Sequence, residues 1–204
     1  MSIWRSAQRL VRYRQTRETI MGLDLTKAKA LGRSDDLLLR EANESDAPLI
    51  SDFNVRHEVD KHQRERVSRY LKHRHHGVLA FVESELIGYV WWTDNTMAAA
   101  DRHPHLDIYG IVLGDKDVYM VDAYIAPAGR GAGRALSLMS RVQADLGDLG
   151  YEKAYGICAD ANVAAKWTYK MTGWREERRQ RGHVLFERIG YLNGRVFPSR
   201  SRMF

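Results

Sequence analysis

Residues Val118 to Leu136, VYMVDAYIAPAGRGAGRAL, concentrate the residue types that handle an anion. Val118, Met120, Val121, Ala123 and Ile125 mix β-branched and apolar residues over one short run, which reads as a strand. Pro127 stops it, since proline has no N–H to give a ladder. Gly129, Gly131 and Gly133 follow, and Ala135, Leu136, Leu138 and Met139 then begin a helical period. The order is strand, glycine-rich turn, helix N-terminus. A helix start carries unpaired N–H groups and a partial positive charge, so it attracts anions. Glycine lets a phosphate approach the backbone, and Arg130 and Arg134 add charge at the same place. The residues alone support a diphosphate cradle, with an ordinary glycine-rich loop as the plainer alternative.

The spacing carries more. Arg130-Gly131-Ala132-Gly133-Arg134-Ala135 resembles the Arg/Gln-x-x-Gly-x-Gly/Ala signature of the GCN5-related N-acetyltransferase (GNAT) superfamily. Downstream, Asn162 to Trp174 resembles that family's Asn-x-x-Ala-x-x-x-Tyr-x-x-x-Gly-Phe segment, with Trp174 in place of the Phe. Ala165 and Tyr169 are four apart and share a helix face. The likeness spans roughly Leu37 to Ile189, and its motifs fill Ala123 to Trp174.

The resemblance implies an α/β (α+β) fold: a mixed, mostly antiparallel central sheet, splayed after its fourth strand and flanked by helices. It also implies an N-acyltransferase that moves an acetyl group from acetyl-CoA, a co-substrate, to a primary amine by direct attack, with no metal. Pantetheine would pair with the backbone of Ala123, Tyr124 and Ile125. The diphosphate would lie on Arg130, Gly131, Ala132, Gly133, Arg134, Ala135 and Leu136, and Asn162 would also touch the cofactor. Tyr169 would protonate the departing thiolate. The family's base positions fall here on Tyr119, Val121 and Ile157, none of them acidic. Asp122 is the nearest carboxylate, though strict alternation sends it to the opposite face. Asp122 through a bulge, Tyr119, His105 and a water chain all stay open as the base. Without a strong base, a weakly catalytic binding module is a competing reading; a long acyl chain on acyl carrier protein is another donor.

The 204 residues suffice for one domain with a core. No apolar run is long enough to span a bilayer, and arginines interrupt the N-terminus where a signal peptide needs an apolar stretch. The single cysteine, Cys158, excludes an internal disulfide, suits a reducing cytoplasm and sits in an apolar run as a core residue. The net charge of +6 is uneven: residues 1–36 carry +4 and residues 174–204 carry +5, leaving −3 between them. Basic ends favour an anionic partner.

Three segments follow: a basic arm over 1–36, the acyltransferase domain over 37–190, and a basic tail over 191–204. Short helices are expected in the arm, which would dock on the domain or on a second copy to make a homodimer. The domain opens on a strand at Leu37–Arg40. A helix capped by Asn43 or Ser45 follows, and a second, basic helix runs from about Val59 to Leu71. His73, His75 and His76 form a cationic, solvated turn rather than a metal site, having no carboxylate or Cys support. Gly77 to Trp92 reads as a hairpin turning at Glu83-Ser84-Glu85. Its Trp91 and Trp92 point to opposite faces, one of them toward an acceptor. Asp107 to Leu113 reads as an added strand inside an irregular insertion. The cradle helix runs from about Gly131 to Leu149 and stops at Gly150. A strand at Lys153–Cys158 leads to the Tyr169 helix. A last hairpin turns at Arg181-Gly182.

Overall fold

The structure, a computed structural model, describes residues 14–31, 34–73, 75–98, 101–185 and 188–191. Among the described residues eight strands form one sheet: β1 (Arg14–Asp24), β2 (Leu37–Glu41), β3 (His76–Val82), β4 (Glu85–Asp94), β5 (Asp117–Ile125), β6 (Lys153–Ala159), β7 (Arg175–Leu185) and β8 (Arg188–Tyr191). Their order is β2-β3-β4-β5-β6-β1-β7-β8. Every neighbouring pair is antiparallel except β5 and β6. Those two run parallel through three registered pairs, Asp117↔Lys153, Val118↔Ala154 and Tyr119↔Tyr155. Beyond Tyr119 they part, and the sheet opens.

Helices cover both faces. On one lie α1 (Ala47–Arg56), α2 (Lys61–Tyr70) and α3 (Pro104–Tyr109), which bury Ile50, Phe53, Val67, Tyr70, Leu106 and Tyr109 with Tyr89, Trp91, Tyr119 and Val121 of the sheet. On the other lie α4 (Arg134–Asp148) and α5 (Val163–Met171). There Leu138, Met139, Val142 and Leu146 of α4 pack on Trp92, Val118, Met120 and Ala154. Fully burying a side chain of this size contributes about 1.5–3 kcal/mol, so the helical spacing of those four residues holds α4 down. Trp91 and Trp92 do face opposite ways, but both are buried, one in each core, and neither is left to line an acceptor site.

Several expectations are corrected. Residues 14–24 are not an arm of short helices. They form β1, inside the sheet between β6 and β7. The alternation that would reveal this strand is broken by a bulge at Ile20/Met21, so Thr19, Ile20 and Met21 are all buried in succession. The arm's remaining residues, 1–13, and most of the tail, 192–204, lie outside the described residues. Asp107 to Leu113 contributes no strand. Pro104 presets the first turn of α3, and Gly110, at φ +60°, caps its end. The last hairpin does not turn at Arg181-Gly182 either, because β1 pairs with β7 continuously enough to carry it on to Leu185. His75 is buried rather than solvated, its ring stacked 4.6 Å from that of Tyr70.

β6 and β7 meet only through β1. Deleting residues 1–24 should therefore abolish cooperative unfolding in a thermal melt followed by circular dichroism. Ile20→Ala, which empties a site only 2% exposed, should cost about 2–5 kcal/mol in a urea titration.

Candidate active site

The cradle sits where β5 ends. Ile125 closes the strand, a single 3-10 turn spans Pro127–Gly129, and α4 begins at Arg134. Gly131, Ala132 and Gly133 all have positive φ, at +123°, +46° and +72°. At Gly131 and Gly133, nothing lies within 4 Å of where a Cβ would stand, so the loop faces open space. Arg134 donates its N–H to Gly131 O at 2.9 Å, and Ser137 donates to Gly133 O at 2.9 Å. The amides of Gly131, Ala132, Gly133, Ala135 and Leu136 donate to no acceptor among the described residues. No side chain caps this helix. A row of unpaired N–H groups at a helix start fits a diphosphate.

The two cradle arginines are tied to the protein. Arg130 Nε donates to Ile125 O at 3.0 Å, closing the carbonyl where pantetheine pairing was expected. Arg134 Nε and Nη2 both donate to Asp36 Oδ2, at 3.1 and 2.5 Å. The Arg134 hydrogen bonds, joined by Ser34, hold the Asp36 carboxyl below its usual range. The open donors of this loop are therefore its backbone amides. Ala123 is exposed in the opening, beside half-buried Tyr124.

Tyr169 reaches the opening from the far side. Asn162 caps α5 by accepting from Ala165 N at 3.0 Å, a bond that fixes where the helix starts. Two turns on, the Tyr169 ring packs edge-on against Trp174 at 4.7 Å. Its hydroxyl rests on β6: a Cβ at Gly156 would come within 2.8 Å of it. That hydroxyl has no hydrogen-bond partner among the described residues. Burial, then Cys158 and Asp122, push its pKa above the ordinary phenol value, so it keeps its proton.

The opposite face carries a polar cluster that the sequence disclosed only in part. β5 bulges: Tyr89 pairs with Tyr124 and Trp91 with Val121, so Asp122 and Ala123 share the space opposite Val90. Asp122 takes φ +45°. The bulge turns its carboxylate to the face of Tyr119 and Val121, against the alternation expected of a regular strand. There Arg66 grips it bidentately at 2.9 and 2.8 Å, and Tyr70 donates to it at 2.5 Å. Asp122 Oδ2 thus accepts from both Arg66 and Tyr70.

His105 lies beside this pair. Its Nδ1 is 3.0 Å from the Tyr119 hydroxyl. His103, buried, caps α3 by accepting from His105 N at 3.2 Å. In the sequence Tyr70 reads only as an inward residue of its helix, and Arg66 and Gln63 carry no functional signal. Their helix reads as a basic surface helix; only the tertiary position of Asp122 gives Arg66 and Tyr70 a role, while Gln63 donates to the Tyr89 hydroxyl at 3.5 Å. A cavity of about 300 Å³ opens on the same face, lined by Tyr155, Gly110, Ile111, Val112, Glu177 and Arg178 among others. A second, of about 360 Å³, lies away from this chemistry, between α1 and the β3–β4 turn. Among the described residues, no group of three or more His, Cys, Asp or Glu converges to hold a metal ion.

A family model described as Acetyltransferase (GNAT) family matches residues 39–174. No curated protein matches the sequence. Among solved structures, the GCN5-related glucosamine N-acetyltransferase region of a fungal multi-domain GH3 β-N-acetylglucosaminidase is similar at TM-score 0.63 and 16% identity, over 90% of this chain and 23% of that one. A Drosophila protein matches at TM-score 0.62 and 12% identity, over 89% and 55% of the two chains. An acetyltransferase of the GNAT family from Colwellia psychrerythraea matches at 0.59 and 11%, over 85% and 57%. This chain thus spans little more than half, or less, of the length of these relatives. At such identities the likeness is one of fold.

The histidines of this face set a pH dependence. Burial pushes His75 and His105 down to about 4 from the ordinary 6.5, and His103 down as well. The unfolded chain therefore binds protons first. The stability these rings contribute is full above about pH 6.5 and is lost as pH falls toward 4. Urea titrations between pH 7 and 5, above most carboxylate titrations, should show falling stability. His75→Phe, which keeps the stack on Tyr70, should flatten the profile.

Proposed function

Because the chain belongs to the GNAT acetyltransferase family, we propose that it transfers an acetyl group from acetyl-CoA to a primary amine by direct attack in a ternary complex. One observation carries this reading. The unpaired amides of Gly131, Ala132, Gly133, Ala135 and Leu136 and the bare Tyr169 hydroxyl border one opening between β5 and β6. An activated thioester supplies the acetyl group. The cradle amides would bind its diphosphate, and the exposed edge of β5 around Ala123 would guide the pantetheine. As the amine nitrogen bonds to the acetyl carbon and the carbon–sulfur bond breaks, Tyr169 would deliver its proton to the sulfur. Its raised pKa keeps that proton available until charge develops there.

The acceptor would approach from the Asp122 face. With Asp122 held by Arg66 and Tyr70, its carboxylate would fix α2 beside the opening rather than take the proton. The proton itself would pass to His105, by way of Tyr119 or water. Burial keeps that imidazole neutral at neutral pH but lowers its pKa to about 4, so it would be a weak base and turnover would be slow. The saturation of Asp122 also favours a second reading, a donor-binding module with weak turnover. The donor class and a cytoplasmic setting belong to the proposal, and so do the amine, whether a small molecule or a protein, and an anionic partner for the basic ends.

Two substitutions test the site. Gly133→Glu should lower CoA affinity at least tenfold, about 1.4 kcal/mol, by isothermal titration, with the thermal melt kept. Unchanged binding by the folded variant would remove the cradle assignment. Tyr169→Phe keeps the ring and loses the donor. It should cut turnover about 10²–10⁴-fold in a thiol-release assay, with CoA affinity little altered. CoA binding by a wild type that releases no thiol with any of a broad amine panel would favour the binding module.

A further inference from the structure

The outer surface of α5 is apolar. Val163, Trp167 and Met171 succeed one another at four-residue steps, so they form one stripe. They are 75%, 56% and 45% exposed. The stripe runs about 12 Å along the helix. It points away from the core, which α5 meets instead with Ala165 and Tyr169. An exposed tryptophan between two exposed aliphatic side chains is a concentrated apolar surface, unlike the scattered hydrophobics of an ordinary exterior.

Cations surround it. Lys170 is exposed on the same helix. Asp160 ties α5 to β1, accepting from Lys166 at 2.8 Å and from Thr19 at 2.6 Å. Arg179, ion-paired with Glu176 at 2.6 Å, stands opposite Thr19 in the β1–β7 register, and Arg17 stands opposite Arg181 two residues further on. Strand alternation puts the side chains of Thr19, Arg179, Arg17 and Arg181 on the α5 side of the sheet. Arg17 and Arg181 are exposed, and like charges placed directly opposite repel. A negative surface would relieve that repulsion.

We propose that this face docks on an anionic lipid bilayer, with the α5 stripe set into the interface and the arginines of β1 and β7 on the headgroups. The shape favours a bilayer over a protein. The stripe is a convex ridge on a helix, and a fluid interface accepts a ridge without a matching groove. Tryptophan prefers the boundary between headgroup and acyl chain, and lysine stems reach from there to water. Each cation near an anionic leaflet adds about 1 kcal/mol at most, falling off with salt. The helix would lie on the membrane; among the described residues no helix is long and apolar enough to cross one.

The test is sedimentation of the full chain with vesicles of phosphatidylcholine alone, or of phosphatidylcholine mixed with phosphatidylglycerol. Binding is expected to the mixed vesicles, little to the neutral ones, and less as salt rises. Trp167→Ser should reduce the bound fraction at least about fivefold, with an unchanged circular dichroism spectrum. Val163→Ser repeats the test from one turn away, and Arg17→Ser with Arg181→Ser tests the charged half. Failure of the wild type to sediment with the mixed vesicles would overturn the proposal. So would binding that survives both Trp167→Ser and Val163→Ser, since charge alone would then explain it.

Discussion

The parting of β5 from β6 governs this molecule. Two parallel strands pair through Tyr119↔Tyr155 and then diverge, leaving backbone groups that would otherwise form a ladder. Unpaired backbone polar groups are costly when buried and tolerable when they meet water or a ligand. The opening must therefore be held by forces outside the two strands. β4 keeps β5 on one side through Tyr89↔Tyr124 and Gly88↔Ile125. β1 keeps β6 on the other, pairing from Glu18↔Ala159 to Asp24↔Lys153. The strand that seems dispensable at the N-terminus is thus half of the clamp.

The opening separates two chemical environments. On the α4 and α5 side stand free amides and a protonated phenol, groups that donate. On the α2 and α3 side stand a paired carboxylate, a buried phenol and neutral imidazoles, groups that accept or orient. The bulge at Asp122 is the hinge between them. Its left-handed residue costs on the order of 1 kcal/mol or more, offset by the bidentate bond to Arg66 and the bond from Tyr70. That arrangement anchors α2 beside the opening and commits the Asp122 charge to it.

The segment before β2 does more than connect. Leu31 exchanges hydrogen bonds with Ser140 on α4 through both its N–H and its C=O, at 2.9 and 3.2 Å. Asp36 then grips Arg134 at the first residue of that helix. The chain between β1 and β2 is in this way fastened along α4, from the middle of the helix to its start. A loose terminal extension would have no reason to make these bonds.

The succession of strand, glycine turn and helix after β5, and the Tyr169 helix after β6, were legible in the sequence, because each rests on a local rule. Glycine at positive φ, asparagine at a helix cap and apolar residues at helical spacing need no distant partner to be read. The Asp122 cluster was not legible in that way. Strict alternation sends Asp122 to the wrong face, and only pairing with β4 creates the bulge that reverses it. Arg66 and Tyr70, more than fifty residues earlier in the chain, acquire a role only when α2 packs on that bulge. β1 was hidden for a similar reason: its own bulge breaks the period of two, and nothing local says that β6 and β7 need a strand between them. Local conformational preference determined the donor side. Long-range strand pairing, which no short window of residues contains, decided the acceptor side and the place of the N-terminal strand.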